Sequence, residues 1–203
     1  MGAKGEERAR KFAAFEEKCA ALQAAGYAMR DKTVSIGRAN WLGLLSALPF
    51  AAAVLVAAFL IPHNYALVGF FWADLALFFA ALFVSIPVHE GLHALFWAAA
   101  NGTFRGLSFG IAQATPYCAC ETVMSRGKYL LGSLAPVLLL GGGLSAAGLC
   151  LSNVTLAAVG AYNVMCAGGD LLVAYRALFC RAEKLLDHPV RCGFYAFYRE
   201  KKS

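Results

Sequence analysis

Charge is scarce in this chain of 203 residues: 15% are Asp, Glu, Lys or Arg and 60% are hydrophobic, where an average soluble domain has about 25% charged residues. The scarcity is local, since no charged residue occurs from Ala39 to Ala73, from Leu75 to Val88 or from Tyr129 to Gly169. That pattern excludes an ordinary soluble globule. Paired cysteine spacing is also missing. The seven cysteines include no CxxC pair, so neither a disulfide framework nor a zinc ribbon is expected. Before Trp41 there is no short apolar core of the kind found in a cleaved signal peptide, so the first apolar stretch is expected to act as its own insertion signal. Met1-Gly2 does not complete a myristoylation motif, because Glu6 stands where Ser or Thr is required. No internal repeat is present.

What is there is membrane-sized. A hydrocarbon core about 30 Å thick takes about 20 apolar helical residues, and four stretches qualify: Leu42 to Ile61, Tyr65 to Ala100, Tyr129 to Leu151 and Val154 to Cys180. The second would measure about 54 Å as a straight helix, so it is expected to tilt, protrude or bend at Pro87. The net charge of +6 is distributed by topology. All eighteen Lys and Arg precede the first span, lie between spans two and three, or follow Tyr175, and the two remaining connections have none. This positive-inside arrangement predicts a multi-pass cell-membrane protein with both termini cytoplasmic and the lipid bilayer, not nucleic acid, as its basic-face partner.

The expected fold class is an all-α polytopic membrane protein with four transmembrane helices, a short β-hairpin between helices two and three, and an N-terminal cytoplasmic amphipathic helix. The last is read from Phe12, Phe15, Cys19 and Leu22 at spacings of three, four and three. The hairpin is read from the alternation around Phe104, Leu107 and Phe109, the turn at Thr115-Pro116, and the run Tyr117 to Val123. Residues 1–38 form the N-terminal helix and linker, 39–180 the four-span unit, and 181–203 a basic tail. Tyr27 to Asn40 is left unassigned.

Ionisable groups inside a bilayer are costly and mark function. The set here is Asp74, His89, Glu90, His93, Asp170 and Arg176. Three of these form His89-Glu90-Gly91-Leu92-His93, an HExxH motif. On a helix its two imidazoles lie about 40° and one turn apart, so both reach one ion, and Glu90 stands beside them to take the proton of a metal-activated water. Zn2+ in a catalytic site takes three protein ligands. Asp170 is the expected third, since it precedes Arg181 by about as many residues as His89 precedes Asn101, which matches their depths at about 16 to 18 Å. Gly168 and Gly169 let those helices approach. Asp74 is about 22 Å from His89 along its helix; a helix contact is its simpler reading. His63 and His188 lie outside the spans. Asn163 either glues helices together or aims a donor at an oxyanion. Cys118 and Cys120 are expected to be packed thiols.

The stretch Ile86-Pro87-Val88-His89-Glu90-Gly91-Leu92-His93-Ala94, the Gly-rich hairpin, Leu131 to Pro136, and Asn163 to Asp170 resemble a family of small bacterial four-span membrane proteins, a domain of unknown function described as zincin peptidases. More distantly the chain is similar to site-2 protease-type intramembrane metalloproteases. The resemblance implies metal ligands His89, His93 and Asp170, a catalytic Glu90 and an assisting Asn163. Between Asn163 and Asp170 this chain lacks the Pro, and after Asp170 the Gly, of the site-2 group. The expected function is a zinc-dependent membrane-embedded peptidase acting on membrane proteins or membrane-proximal peptides. The alternative is a catalytically silent zinc-site scaffold that binds a partner protein. Spans one and three carry no ionisable residue, which argues against a metal transporter.

Overall fold

A computed structural model describes residues 3–62, 71–112 and 115–199. It is mostly helical, with α1 (Ala3–Ala24), α2 (Ile36–Leu60), α3 (Phe71–Asn101), α4 (Arg126–Pro136), α5 (Leu144–Cys150), α6 (Val154–Cys166) and α7 (Gly168–Leu178). The strands are β1 (Tyr27–Asp31), β2 (Leu107–Ala112), β3 (Thr115–Cys120), β4 (Met124–Ser125), β5 (Lys184–Asp187) and β6 (Phe194–Arg199). Three helical stretches are long and apolar enough to cross a membrane: α2, α3, and the run Arg126–Cys150. A fourth is added if α6 and α7, bent by 56° at Ala167, count as one.

The bundle is held by small residues rather than large ones. The buried positions of α2 are Ala39, Gly43, Ala47, Ala51 and Ala58, an i, i+4 stripe. Its large side chains point outward, Trp41 at 69% exposure and Phe50 at 64%. A soluble helix would do the opposite. α2 packs against α6 and α7, α3 against α4, and α5 against α6. At the α2–α7 crossing the backbones of Gly43 and Gly168 touch, so a Cβ on either would collide with the other chain segment. Asn153 caps α6 by accepting a hydrogen bond from the Leu156 N–H at 2.8 Å.

Two expectations need correction. The third span is one run only with a π-helical segment, Val137–Gly143, between α4 and α5. The fourth is not straight, because α6 ends at the Ala167 bend. The second span is described from Phe71 onward. Its expected start at Tyr65, like His63, lies outside the described residues. Pro87 sits within a continuous α3.

The expected hairpin is present as β2 paired with β3, Leu107 opposite Cys120. A second sheet was not expected. Its order is β1-β6-β5-β4, all antiparallel, and it joins residues just before α2, just before α4 and just after α7. The fold is therefore not all-α outside the hairpin, and 181–199 is not a simple tail. One face of the sheet, with Met124, Leu185, Phe194 and Ala196, packs on Trp97 and Tyr129 at the bundle end. The other, with Leu186 and Phe197, is covered by Phe15 and Cys19 of α1. The α1 stripe thus packs on the protein.

Candidate metal centre

The inward stripe of α3 is Ser85, His89, His93 and Trp97, four residues apart in turn, which keeps them on one face. His89 and His93 are buried although most of α3 is exposed. The Ala167 bend restarts the helix at Gly168, so Asp170 falls in the first turn of α7, where the helix dipole favours a carboxylate. The Gly43–Gly168 contact fixes how deep that turn sits.

The three side chains meet. His89 Nε2 lies 2.9 Å from Asp170 Oδ2 and His93 Nε2 lies 3.3 Å from Asp170 Oδ1. Among the described residues, this is the one cluster of three or more His, Cys, Asp or Glu whose ligand atoms all lie within 4.8 Å of one another. Two imidazole nitrogens and a carboxylate suit zinc at a catalytic site, where a fourth position stays open. His93 Nδ1 lies 2.9 Å from the Gly132 carbonyl. A carbonyl only accepts, so in the neutral ring Nδ1 carries the proton and Nε2 presents its lone pair, the support expected behind a metal-binding histidine. His93 also stacks on Trp97, with centroids 5.3 Å apart, and the Trp97 indole N–H donates to the Tyr129 carbonyl at 3.2 Å. Trp97 packs directly on Gly132, leaving no room for a Cβ there.

Glu90 lies beside the cluster. Its carboxylate faces the backbone N–H of Cys118 on β3, and Oε2 is buried without a hydrogen-bond partner. A buried carboxylate oxygen left unpaired is costly, and its cost is met when a water or substrate donor reaches it.

Asn163 is buried at 2% exposure and its amide donates to the Val159 carbonyl of its own helix at 2.9 Å. The 56° bend separates it from Asp170, so the two do not share a straight helix face as their spacing suggested. Asp74 stands in the first turn of α3, far from the cluster along that helix. Cys120 is buried and Cys118 packs against the same core. Burial, followed by the charges of Glu90 and Asp187, pushes the Cys118 thiol up to about 12, so it is not a thiolate near neutral pH. His188 packs edge-on against Phe15, with ring centroids 5.1 Å apart, away from the site.

Sequence reasoning missed Asp187, in what had looked like a tail. Its Oδ1 accepts from the Tyr129 hydroxyl at 2.5 Å and its Oδ2 from the Cys120 N–H at 2.9 Å. Burial pushes its carboxyl up to about 6 against the pull of those hydrogen bonds. The one available signal was a carboxylate directly after the apolar pair Leu185-Leu186.

HExxH on one helix and a carboxylate brought in by another define the class, a helix-bundle protein with a zincin-type donor set. The profile of a family described as "Putative zincin peptidase" matches residues 82–185, just over half of the chain, and the chain belongs to that family. No curated protein and no solved structure matches it.

Proposed function

We propose that the protein is a zinc-dependent, membrane-embedded peptidase whose metal is held by His89, His93 and Asp170 and whose general base is Glu90. One observation carries the reading: three ligand atoms converge within 4.8 Å beside a glutamate with a free buried oxygen. Zinc, when bound, supplies a Lewis acid that polarises a carbonyl and acidifies water. The chain does the rest. Glu90 Oε2 accepts the proton of the attacking water, while the Cys118 N–H holds the other side of the carboxylate in place. The same carboxyl group then passes the proton to the leaving amine. The Gly132 carbonyl and Trp97 fix the His93 ring. An extended substrate adding a strand to the hairpin would present its peptide bonds beside Glu90.

The apolar, outward-facing helices and the grouping of Lys and Arg in the sequence before the first span, between spans two and three and after Tyr175 support insertion in a cell membrane with both termini cytoplasmic. In that arrangement residues 39–180 span the bilayer and α1 with the four-stranded sheet forms a cytoplasmic cap. Substrates are then membrane proteins or peptides reaching the cytoplasmic side. The buried, unpartnered oxygen of Glu90 favours an enzyme over a silent scaffold, which has no need of it. The test is zinc stoichiometry by elemental mass spectrometry on protein purified without chelators. One zinc per chain, lost in His93→Ala and in Asp170→Ala, is expected. Wild-type protein without metal would overturn the reading, and zinc retained by Asp170→Ala would remove Asp170 from the ligand set.

A further inference from the structure

We infer that Asp187 is a positioning residue that ties the two supports of the centre together, the β3 edge behind Glu90 and the α4 turn behind His93. The inference rests on the peptidase reading above. Cys118 and Cys120 are two apart on β3, so their N–H groups point to the same side of the strand. In the β2–β3 register that side is the one away from β2, because Gly110 and Tyr117, not Phe109 and Cys118, are the kind of pair that shares hydrogen bonds when Cys120 N–H is used outside the ladder. Cys118 N–H faces Glu90 and Cys120 N–H is taken by Asp187. Asp187 therefore sets where β3 sits along the strand that orients the general base.

Its other oxygen accepts from the Tyr129 hydroxyl. Tyr129 lies three residues before Gly132 on α4, and its carbonyl receives the Trp97 indole N–H. The same turn thus supplies a carbonyl to His93 and a carbonyl to the ring stacked on His93. One carboxylate from β5, at the far end of the chain, is bonded to both elements. Two charge-assisted hydrogen bonds in a poorly solvated place are the strong kind. Asp187 hydrogen-bonds to none of the three ligands nor to Glu90; its bonds to the supports of the centre are those to Cys120 and Tyr129. It also lies just beyond the stretch matched by the family profile.

The test uses the full chain in detergent or nanodiscs, with two readouts that need no substrate. Amide hydrogen exchange is followed over 115–121, and cobalt(II) replaces zinc so that its visible absorption bands report ligand geometry. Asp187→Ala is expected to take up cobalt, with altered bands and exchange at Cys118 and Cys120 about tenfold faster. Asp187→Asn should restore both, since its Oδ1 can accept from Cys120 while its amide donates to a rotated Tyr129 hydroxyl. Tyr129→Phe should alter the cobalt bands and leave Cys120 protected, a separation that general destabilisation would not produce. If Asp187→Ala does not fold, Asp187→Asn and Tyr129→Phe still decide. Wild-type exchange and bands in Asp187→Ala, or an Asn variant as disturbed as Ala, would overturn the inference. Failure of wild-type protein to bind cobalt would instead overturn the metal reading, while the exchange result still judges the tether.

Discussion

The proposed general base and the proposed metal ligands separate cleanly in what their removal should do. Glu90→Gln removes the proton acceptor while leaving every ligand atom in place, so zinc content should stay at the wild-type level while turnover falls by about 10²- to 10⁴-fold. Equal activity in the two proteins would show that another group takes the proton. Gly132 provides a second residue-scale prediction. A Cβ there would press into the Trp97 indole, and the displaced ring is stacked on His93. Gly132→Ala is expected to weaken zinc binding by about 10- to 100-fold, the scale of a disturbed support behind a ligand, as measured by competition with a chromophoric chelator. Unchanged affinity would mean that the α4 turn yields without moving the ring. At this scale the sequence was most legible. Two histidines and a glutamate at fixed helical spacing identify themselves, because regular helix geometry relates position in the chain to position in space. Asp170 was reachable by depth for the same reason. Asn163 was less so, because a seven-residue spacing puts two side chains on one face only of a straight helix, and the chain bends by 56° between Asn163 and Asp170.

Elements meet through small residues and through aromatic contacts, and the aromatic group around His188 is pH-sensitive. His188 Nδ1 accepts from the N–H groups of Val190 and Arg191 at 3.1 and 3.0 Å, which requires an unprotonated nitrogen. The ring lies against Phe12 and Phe15 of α1 and Tyr195 of β6. Burial first and the charge of Arg191 second hold its pKa below the usual histidine value, against a smaller upward pull from Asp31. The unfolded or undocked ring therefore takes a proton before the docked one does. The docking contribution is complete above about pH 6.5 and is lost as the pH falls below that value. Protection factors over 12–22, which remove the intrinsic pH dependence of amide exchange, should accordingly fall between pH 7.5 and 5.5, and the fall should vanish in His188→Ala. Global melting is a poorer readout, because Asp187, with its carboxyl raised to about 6, stabilises the fold as the pH falls through that value. The sheet itself was hard to read. Strands with one wet face alternate polar and apolar residues, but β5 and β6 are covered by the bundle on one face and α1 on the other, and strands covered on both faces lose the alternation.

For the whole molecule, the arrangement is a bundle with one capped end. Every strand belongs to the ends of α2, α3, α4 and α7 that the chain reaches from the basic segments, and the described residues at the opposite end are short connections such as Leu151 to Asn153. Charge and architecture are thus two expressions of one constraint: groups that cannot enter lipid collect where the sheet gives them partners and water, and the opposite end stays nearly bare. The long apolar helices were legible because apolar length is a one-dimensional property; the bend that leaves three or four of them was not. The cap was not, because joining β1 to β6 depends on residues about 170 apart in the chain, and no local pattern encodes that pairing. If the positive-inside reading holds, the bare end faces outward. Leu151, 70% exposed at the α5–α6 connection, is then reachable from outside the cell, and Glu183, exposed beside the sheet, is not. Single substitutions Leu151→Cys and Glu183→Cys, made in a chain whose seven native cysteines are replaced by Ser or Ala, treated with a membrane-impermeant maleimide and mapped by peptide mass spectrometry, should be labelled in intact cells only at position 151. Permeabilisation should add position 183. Labelling at 183 in intact cells would invert the topology and move the proposed catalytic face, with its substrates, to the outer side of the membrane.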